Sequence, residues 1–390
     1  MKQSNTRNSD YTYSPSTSCV HAGTLRDPIS GGVNTPIFPS SAIDYRTKDI
    51  RYPRNFNTPN NDAVAKKLAT LEGTEKALLL SSGMAAIAIG IMALVKPGEH
   101  IVFQKDLYGG TLALIEQELP KRNISYTFVD ATKIDELKEA ITEQTALIYI
   151  ETPSNPLLNI IDIKAVTSIA KHCKIKTMID NTFASPINQN PAQLGCDLIM
   201  HSATKYLGGH SDFCAGALAG SSDIIEQCRL LGTMYGCSLN ASDLALLERS
   251  MKTLAIRVEK QNNNAIEIAH YLQDHPGISI VYYPGLITHP GHTIAKEQMH
   301  GFGGMMSFEL KNEDKSAISR FLDSLNIIIP AGSLGGVESL ITSPALTSHK
   351  LIGEHGRQSY GIKDNLLRLS VGIENIEDLI NDLSFALKDI

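Results

Sequence analysis

The chain has 390 residues, 42% of them hydrophobic and 19% charged, with a formal net charge of −6 from 35 Lys and Arg against 41 Asp and Glu. That balance argues against a general nucleic-acid binder, whose phosphate contacts need a basic surface. No apolar run reaches the roughly 20 residues needed to span a bilayer, and the composition supports a sizeable core rather than a disordered chain.

In chain order, residues 1–15 are polar and carry no apolar stretch of the kind found in a secretory signal. The first fifty or so residues are rich in Pro, Ser, Thr and Gly, with little periodicity, and read as an extended arm. Val64, Leu68 and Leu71 then recur at helical spacing. Short apolar runs follow at 77–80, 101–103, 126–129, 146–150, 177–179, 198–200 and 215–219. They alternate with helical stretches at 85–95, 110–120, 134–141 and 163–172. Such alternation predicts an α/β fold with a largely parallel, helix-covered sheet. Ligands of such sheets sit beyond the carboxyl ends of the strands. From about 240 to 273 the pattern is helical, strands return at 278–282 and 305–310, and a helix closes the chain at 376–387. The expected organisation is an arm over 1–60, a large domain over 61–250 and a smaller C-terminal α+β domain over 251–390. Six scattered cysteines without CxxC pairs read as reduced thiols of a cytoplasmic protein, with no metal site.

The stretch 178–212 carries the most chemistry. One strand ends in Asp180; the next runs into His201-Ser202-Ala203-Thr204-Lys205. A carboxylate and an amine at the same edge of one parallel sheet suit pyridoxal phosphate, which is held covalently by a lysine and needs an anionic partner for its ring nitrogen. Ser202 and Thr204 add hydroxyls suited to a phosphate. The ordinary reading of each residue alone is a lysine in a polar surface loop. Ser82-Gly83-Met84 opens a helix after an apolar run, where free backbone N–H groups and the helix dipole favour an anion; an ordinary serine-capped turn has the same look. Tyr108, after the run at 101–103, has an aromatic face that suits a planar cofactor. No GxGxxG or GxxxxGK[ST] appears, so a nicotinamide-dependent oxidoreductase lacks its usual support. His289 and His292, followed by His300, raise a metal reading, for which a structural role is the alternative.

These motifs, with ETPSNP, DNTFASP, HSATKYLGGHSD, SLGGVESL and RLSVGIE, resemble the Cys/Met-metabolism family of pyridoxal-phosphate enzymes over nearly the whole chain. The resemblance implies a PLP-dependent transferase fold of type I, with a mostly parallel seven-stranded sheet. It assigns Lys205 to cofactor attachment and proton transfer, Asp180 to the ring nitrogen, and Tyr108 to ring stacking and leaving-group chemistry. Gly83, Met84, Ser202 and Thr204 would hold the phosphate. Tyr52 and Arg54 match residues that family members lend to a neighbouring subunit, which implies a homo-oligomer, a tetramer built from dimers. The family usually reads Asn-Pro-Thr after this Arg, whereas Asn57-Thr58-Pro59-Asn60 stands here. Arg368 matches the residue for the substrate carboxylate, and its planar fork suits one. Asn155 and Ser333 match orienting residues. Glu338 would attract the distal ammonium of a long diamino diacid, and Gly110, where methionine lyases tend to carry Cys, favours cystathionine over methionine. The expected activity is a carbon–sulfur lyase on L-cystathionine, by β- or γ-elimination. A γ-synthase acting on an O-acylhomoserine is the alternative, and a non-catalytic cofactor-binding regulator the minor one.

Overall fold

The computed structural model describes residues 13–347, 361–388 and 390; residues 1–12 of the expected arm lie outside them. A seven-stranded sheet holds β1 (Lys76–Leu80), β2 (His100–Gln104), β3 (Ser125–Val129), β4 (Thr145–Glu151), β5 (Lys176–Asp180), β6 (Leu198–His201) and β7 (Gly216–Gly220). Their spatial order is β1-β7-β6-β5-β4-β2-β3. Strands β3, β2, β4, β5 and β6 run parallel. β7 is antiparallel to both its neighbours, β6 and β1. The chain between β6 and β7 returns without a crossover helix, and this loop carries Lys205.

Successive strand residues point to opposite faces of a sheet, and uninterrupted apolar runs therefore need cover on both. Leu147 and Tyr149 of β4 join Ile101, Phe103, Met178 and Leu198 in one cluster, beneath the helices Gly83–Leu94 and Ser222–Tyr235. Ile148 and Ile150 join Val102, Ile179 and Ile199 in another, beneath the helix Ile163–Cys173. The helix Ser222–Tyr235 escapes the periodicity reading, although its signals are present. Ser221 caps it by accepting from Ile224 N, and Gly236 ends it in the left-handed region.

The arm is not wholly extended. Pro15–His21 is a helix, with Pro at its start and Cys19 buried against the helix Pro59–Glu72 among Val64 and Leu68. Lys67 Nζ, itself buried, donates to Cys19 O at 2.7 Å and pins the two helices together.

The helical stretch at 240–273 is two helices, Ala241–Met251 and Leu254–Asp274. The second has two loyalties. Leu254 and Val258 pack with Val64 and Leu68, whereas Ala265, Ile268 and Leu272 pack on a second sheet. That sheet holds β8 (Ile278–Tyr282), β9 (Met305–Leu310), β10 (Ile329–Pro330), β11 (Leu340–Thr342) and β12 (Leu366–Ser370), in the order β10-β11-β12-β9-β8. β12 pairs antiparallel with β11 and β9. The closing helix is Ile376–Ala386. Among the described residues, no helix is long and apolar enough to cross a membrane. The six cysteines are free; Cys19, Cys196 and Cys228 are buried, Cys173 and Cys214 exposed.

Candidate active site

Four parallel strands end at one edge of the large sheet in polar residues: Gln104 on β2, Glu151 on β4, Asp180 on β5 and His201 on β6. A cavity of about 430 Å³ opens there. Lys205, Asp180 and Tyr108 line it, together with Gly83, Met84, Ser202 and Thr204. Ser333 and Arg368 enter from the C-terminal part, and Asn155 from the loop after β4. The sequence reading thus brings these ten residues to one place.

Lys205 Nζ donates to Ser333 Oγ at 2.7 Å. Burial, and then the charge of Arg368, hold its amine below the usual lysine range. Arg368 sits in the middle strand of its sheet and is almost wholly buried. Its Nη1 donates to Asn155 Oδ1 at 2.8 Å and its Nη2 to Ser333 O at 3.1 Å. Its Nε is buried and has no partner among the described residues. Burial lowers the guanidinium to about 10. A guanidinium orients a carboxylate with a fork of donors, and this one keeps a donor free.

Asp180 is buried and accepts from Thr182 N at 2.9 Å. Burial pushes its carboxyl up, while the bonds from Thr182 and the charge of His201 pull it back. Opposite it stands Glu151, which the sequence reading missed. Its Oε2 accepts from Tyr108 N at 3.0 Å and its Oε1 from Asn155 N at 2.9 Å. Burial and the neighbouring Asp180 push Glu151 well above the ordinary carboxylate range. A strand-end carboxylate opening the ETPSNP motif was the available signal.

The residues present fit pyridoxal phosphate. Ser82 caps the helix Gly83–Leu94, its side chain accepting from Ala85 N at 3.1 Å. A Cβ at Gly83 would come within 2.9 Å of Ser202 Oγ, so the absent side chain leaves the helix start and the serine hydroxyl close together. Thr204 Oγ1 is bonded to both the N–H and the carbonyl of Ala215, at 3.0 and 3.1 Å. A phosphate at the helix N-terminus, an anion beside a ring nitrogen and a half-buried amine are the donor set this cofactor needs.

Three predicted residues do not line the cavity. Tyr52 and Arg54 stack on each other, the guanidinium 5.8 Å from the ring centre, away from it. Glu338 is also outside the lining and accepts a hydrogen bond from Ser211 Oγ. His289 and His292 are taken up by their own loop: His289 Nδ1 accepts from Gly291 N at 3.0 Å, and His292 Nδ1 lies 2.9 Å from Pro284 O.

Comparison with known proteins shows the family. The family model for Cys/Met metabolism PLP-dependent enzymes matches residues 16–388. Cystathionine beta-lyase of Lactococcus lactis subsp. cremoris is 44% identical over 377 residues, 95% of this chain and 98% of the relative. Cystathionine gamma-lyase of Bacillus subtilis is 41% identical over 376 residues, 95% of this chain and 98% of the relative. The crystal structure of cystathionine gamma synthase from Xanthomonas oryzae pv. oryzae in complex with cystathionine superposes with a TM-score of 0.93 at 39% identity, covering 96% of this chain and 98% of that one. With a match over almost its whole length and the cofactor's donor set in one cavity, the chain belongs to the PLP-dependent enzymes of cysteine and methionine metabolism.

Proposed function

We propose that the protein is a carbon–sulfur lyase that cleaves L-cystathionine by β- or γ-elimination. One observation carries the reading. Ser333 holds both cations of the cavity, its Oγ accepting from Lys205 and its carbonyl from Arg368. An amino acid whose carboxylate is gripped by Arg368 therefore presents its α-carbon near Lys205 Nζ.

Pyridoxal phosphate, when bound, makes the α-proton of an amino acid acidic by delocalising the negative charge left behind. Lys205 supplies the base. Its lowered basicity leaves more of the amine neutral near physiological pH. Removal of the α-proton suffices for loss of a β-substituent. Loss of a γ-substituent needs a second proton taken from Cβ, which the same amine can take once it has released the first. Tyr108, whose backbone is fixed by Glu151, offers its hydroxyl to the departing sulfur. The N-terminal part up to 60, including Tyr52 and Arg54, acts on a second copy of the chain in a tetramer of paired subunits. Ile29, Val33 and Tyr45, with 94%, 70% and 83% of their surface exposed, are the apolar side chains such contacts would cover. Residues 61–250 then form the cofactor-holding part, and residues 251–390 deliver Arg368 and Ser333.

Similarity to the Xanthomonas synthase favours a second reading, γ-replacement on an O-acylhomoserine. Incubation with L-cystathionine separates the cases. Pyruvate marks β-cleavage and 2-oxobutyrate γ-cleavage. Neither keto acid, with cystathionine formed from an acylated homoserine and cysteine, makes the protein a synthase.

A further inference from the structure

The helix Leu254–Asp274 carries three buried polar side chains, Arg257, Gln261 and Asn264, that lie outside the cavity lining. They stand at i, i+4 and i+7, on one face and over about 10 Å of helix. Each donates to main-chain carbonyls of another segment. Arg257 Nη1 reaches Tyr206 O at 2.9 Å, just past Lys205. Gln261 Nε2 reaches Gly336 O at 2.7 Å, in the loop that carries Ser333. Asn264 Nδ2 reaches Gly372 O at 3.1 Å and Glu374 O at 2.9 Å, in the turn after the strand that carries Arg368.

The loops of Lys205 and Ser333 also meet each other against this helix. Gly209 N donates to Lys205 O at 2.6 Å, and Gly209 O accepts from Val337 N at 3.0 Å. A Cβ at Gly209 would fall on Arg257 Nη1, and one at Gly335 would lie 2.8 Å from Tyr206 N.

Stability alone accounts poorly for these side chains. Arg257 is buried with three neutral acceptors, Tyr206 O, Ser250 O and Thr253 Oγ1, although a buried charge is costly without an opposite one. Gln261 Oε1 is buried and has no partner among the described residues, a penalty that a methionine of similar length would avoid. What apolar side chains could not supply is direction. A donor fixes where a carbonyl stands, whereas apolar contact is non-directional.

We propose that Arg257, Gln261 and Asn264 are positioning residues: from one helix they set the spacing of Lys205, Ser333 and Arg368, and so hold the base beside the α-carbon of an amino acid whose carboxylate lies on the fork. The proposal rests on the lyase reading for the identity of that amino acid, and on the geometry for the arrangement.

The test compares Gln261→Met and Asn264→Leu with the wild-type holoenzyme. Gln261→Met disturbs the base and its latch, so kcat should fall about tenfold while KM stays within about twofold. Its urea midpoint should stay near that of wild type, because one bond and one unpaired oxygen are lost together. Asn264→Leu frees the turn beyond Arg368, so it should raise KM about tenfold and leave kcat within about twofold. A second readout needs no turnover. Lys205 is reductively methylated in the chain freed of cofactor, and its peptide is followed by mass spectrometry. Gln261→Met should speed the labelling about fivefold, the worth of one ordinary hydrogen bond to Ser333 Oγ, and Asn264→Leu should leave it unchanged. Proportional losses in both constants in both variants, with lowered urea midpoints, would show a merely structural role and overturn the proposal. Unchanged constants, or unchanged labelling in Gln261→Met, would overturn it as well. Should Gln261→Met fail to fold, Gln261→Asn keeps the amide one methylene short and is read the same way. If the wild type forms neither keto acid nor cystathionine, the lyase reading has failed, and the labelling alone decides the proposal.

Discussion

Glu151 and Asp180 are register partners at the carboxyl ends of adjacent parallel strands, two buried carboxylates side by side. Their surroundings separate their tasks. Asp180 accepts from the Thr182 N–H, whereas Glu151 spends both oxygens on the backbone N–H groups of Tyr108 and Asn155. Glu151 is thus a strut between Tyr108 and Asn155, the residue that braces Arg368.

Glu151→Gln keeps the size of the side chain but turns an amide NH₂ toward one of the two backbone donors. Leaving a buried donor unsatisfied costs about 1–3 kcal/mol, so kcat/KM should fall by roughly tenfold to a hundredfold. Because Asn155 reaches the substrate through Arg368, a rise in KM should accompany the fall in kcat. Steady-state kinetics on the substrate found by keto-acid analysis reads both. Unchanged KM would mean that Asn155 holds its place without the strut.

Arg368→Lys tests the fork. A lysine amine cannot serve Asn155 Oδ1 and Ser333 O together and still offer a planar pair of donors to a carboxylate. Losing a buried, charge-assisted fork costs on the order of 3 kcal/mol, or about a hundredfold in kcat/KM. The loss should appear mainly in KM, while cofactor uptake, read by absorbance, stays as in wild type. A variant with wild-type KM would remove Arg368 from substrate binding.

Much of this site is legible in the sequence because strand ends are legible. Asp180 and Lys205 stand just past apolar runs, and their meeting at one edge follows from parallel connectivity. Glu72 is not legible in the same way. It lies at the end of a helix, and it reaches His201 only because that helix packs along β1 and β7, a contact 129 residues apart in sequence. Arg368 sits in an apolar run that reads as core, and only the crossing of β12 with the loop after β4 turns it toward the cavity. The antiparallel turn of β7 escapes for another reason. Its apolar run looks the same in either direction, and only the missing crossover helix reverses it.

His289 supplies a pH prediction. Burial, then the nearby His292, push its imidazole down to about 4. An unfolded histidine titrates near 6.5. Between those values the unfolded chain binds a proton that the folded chain refuses, so stability is full above about pH 6.5 and declines as the pH falls toward 4. The contribution is about 3 kcal/mol across the window. In His289→Gln that decline should vanish. The difference between wild-type and variant urea stabilities, measured at pH 7, 5 and 4, should shift by that amount in the variant's favour. A pH-independent difference would show that His289 titrates as a free imidazole.

Gly110 sets the position of the Tyr108 ring. A Cβ at 110 would lie 2.6 Å from Tyr108 Cε1 and 2.9 Å from Met84 Sδ, both within the cavity lining. The smallest side chain therefore has to move the aromatic ring or the thioether, and small-to-large changes in packed sites cost about 1–3 kcal/mol. Gly110→Ala should weaken cofactor binding as well as turnover, because the displaced ring is the one expected to stack on the cofactor. Tyr108→Phe makes the opposite change, since the ring stays and only the hydroxyl goes. Cofactor affinity should then hold while kcat falls. If Gly110→Ala leaves cofactor affinity untouched, Tyr108 does not stack; if Tyr108→Phe leaves kcat untouched, its hydroxyl takes no part in releasing the sulfur.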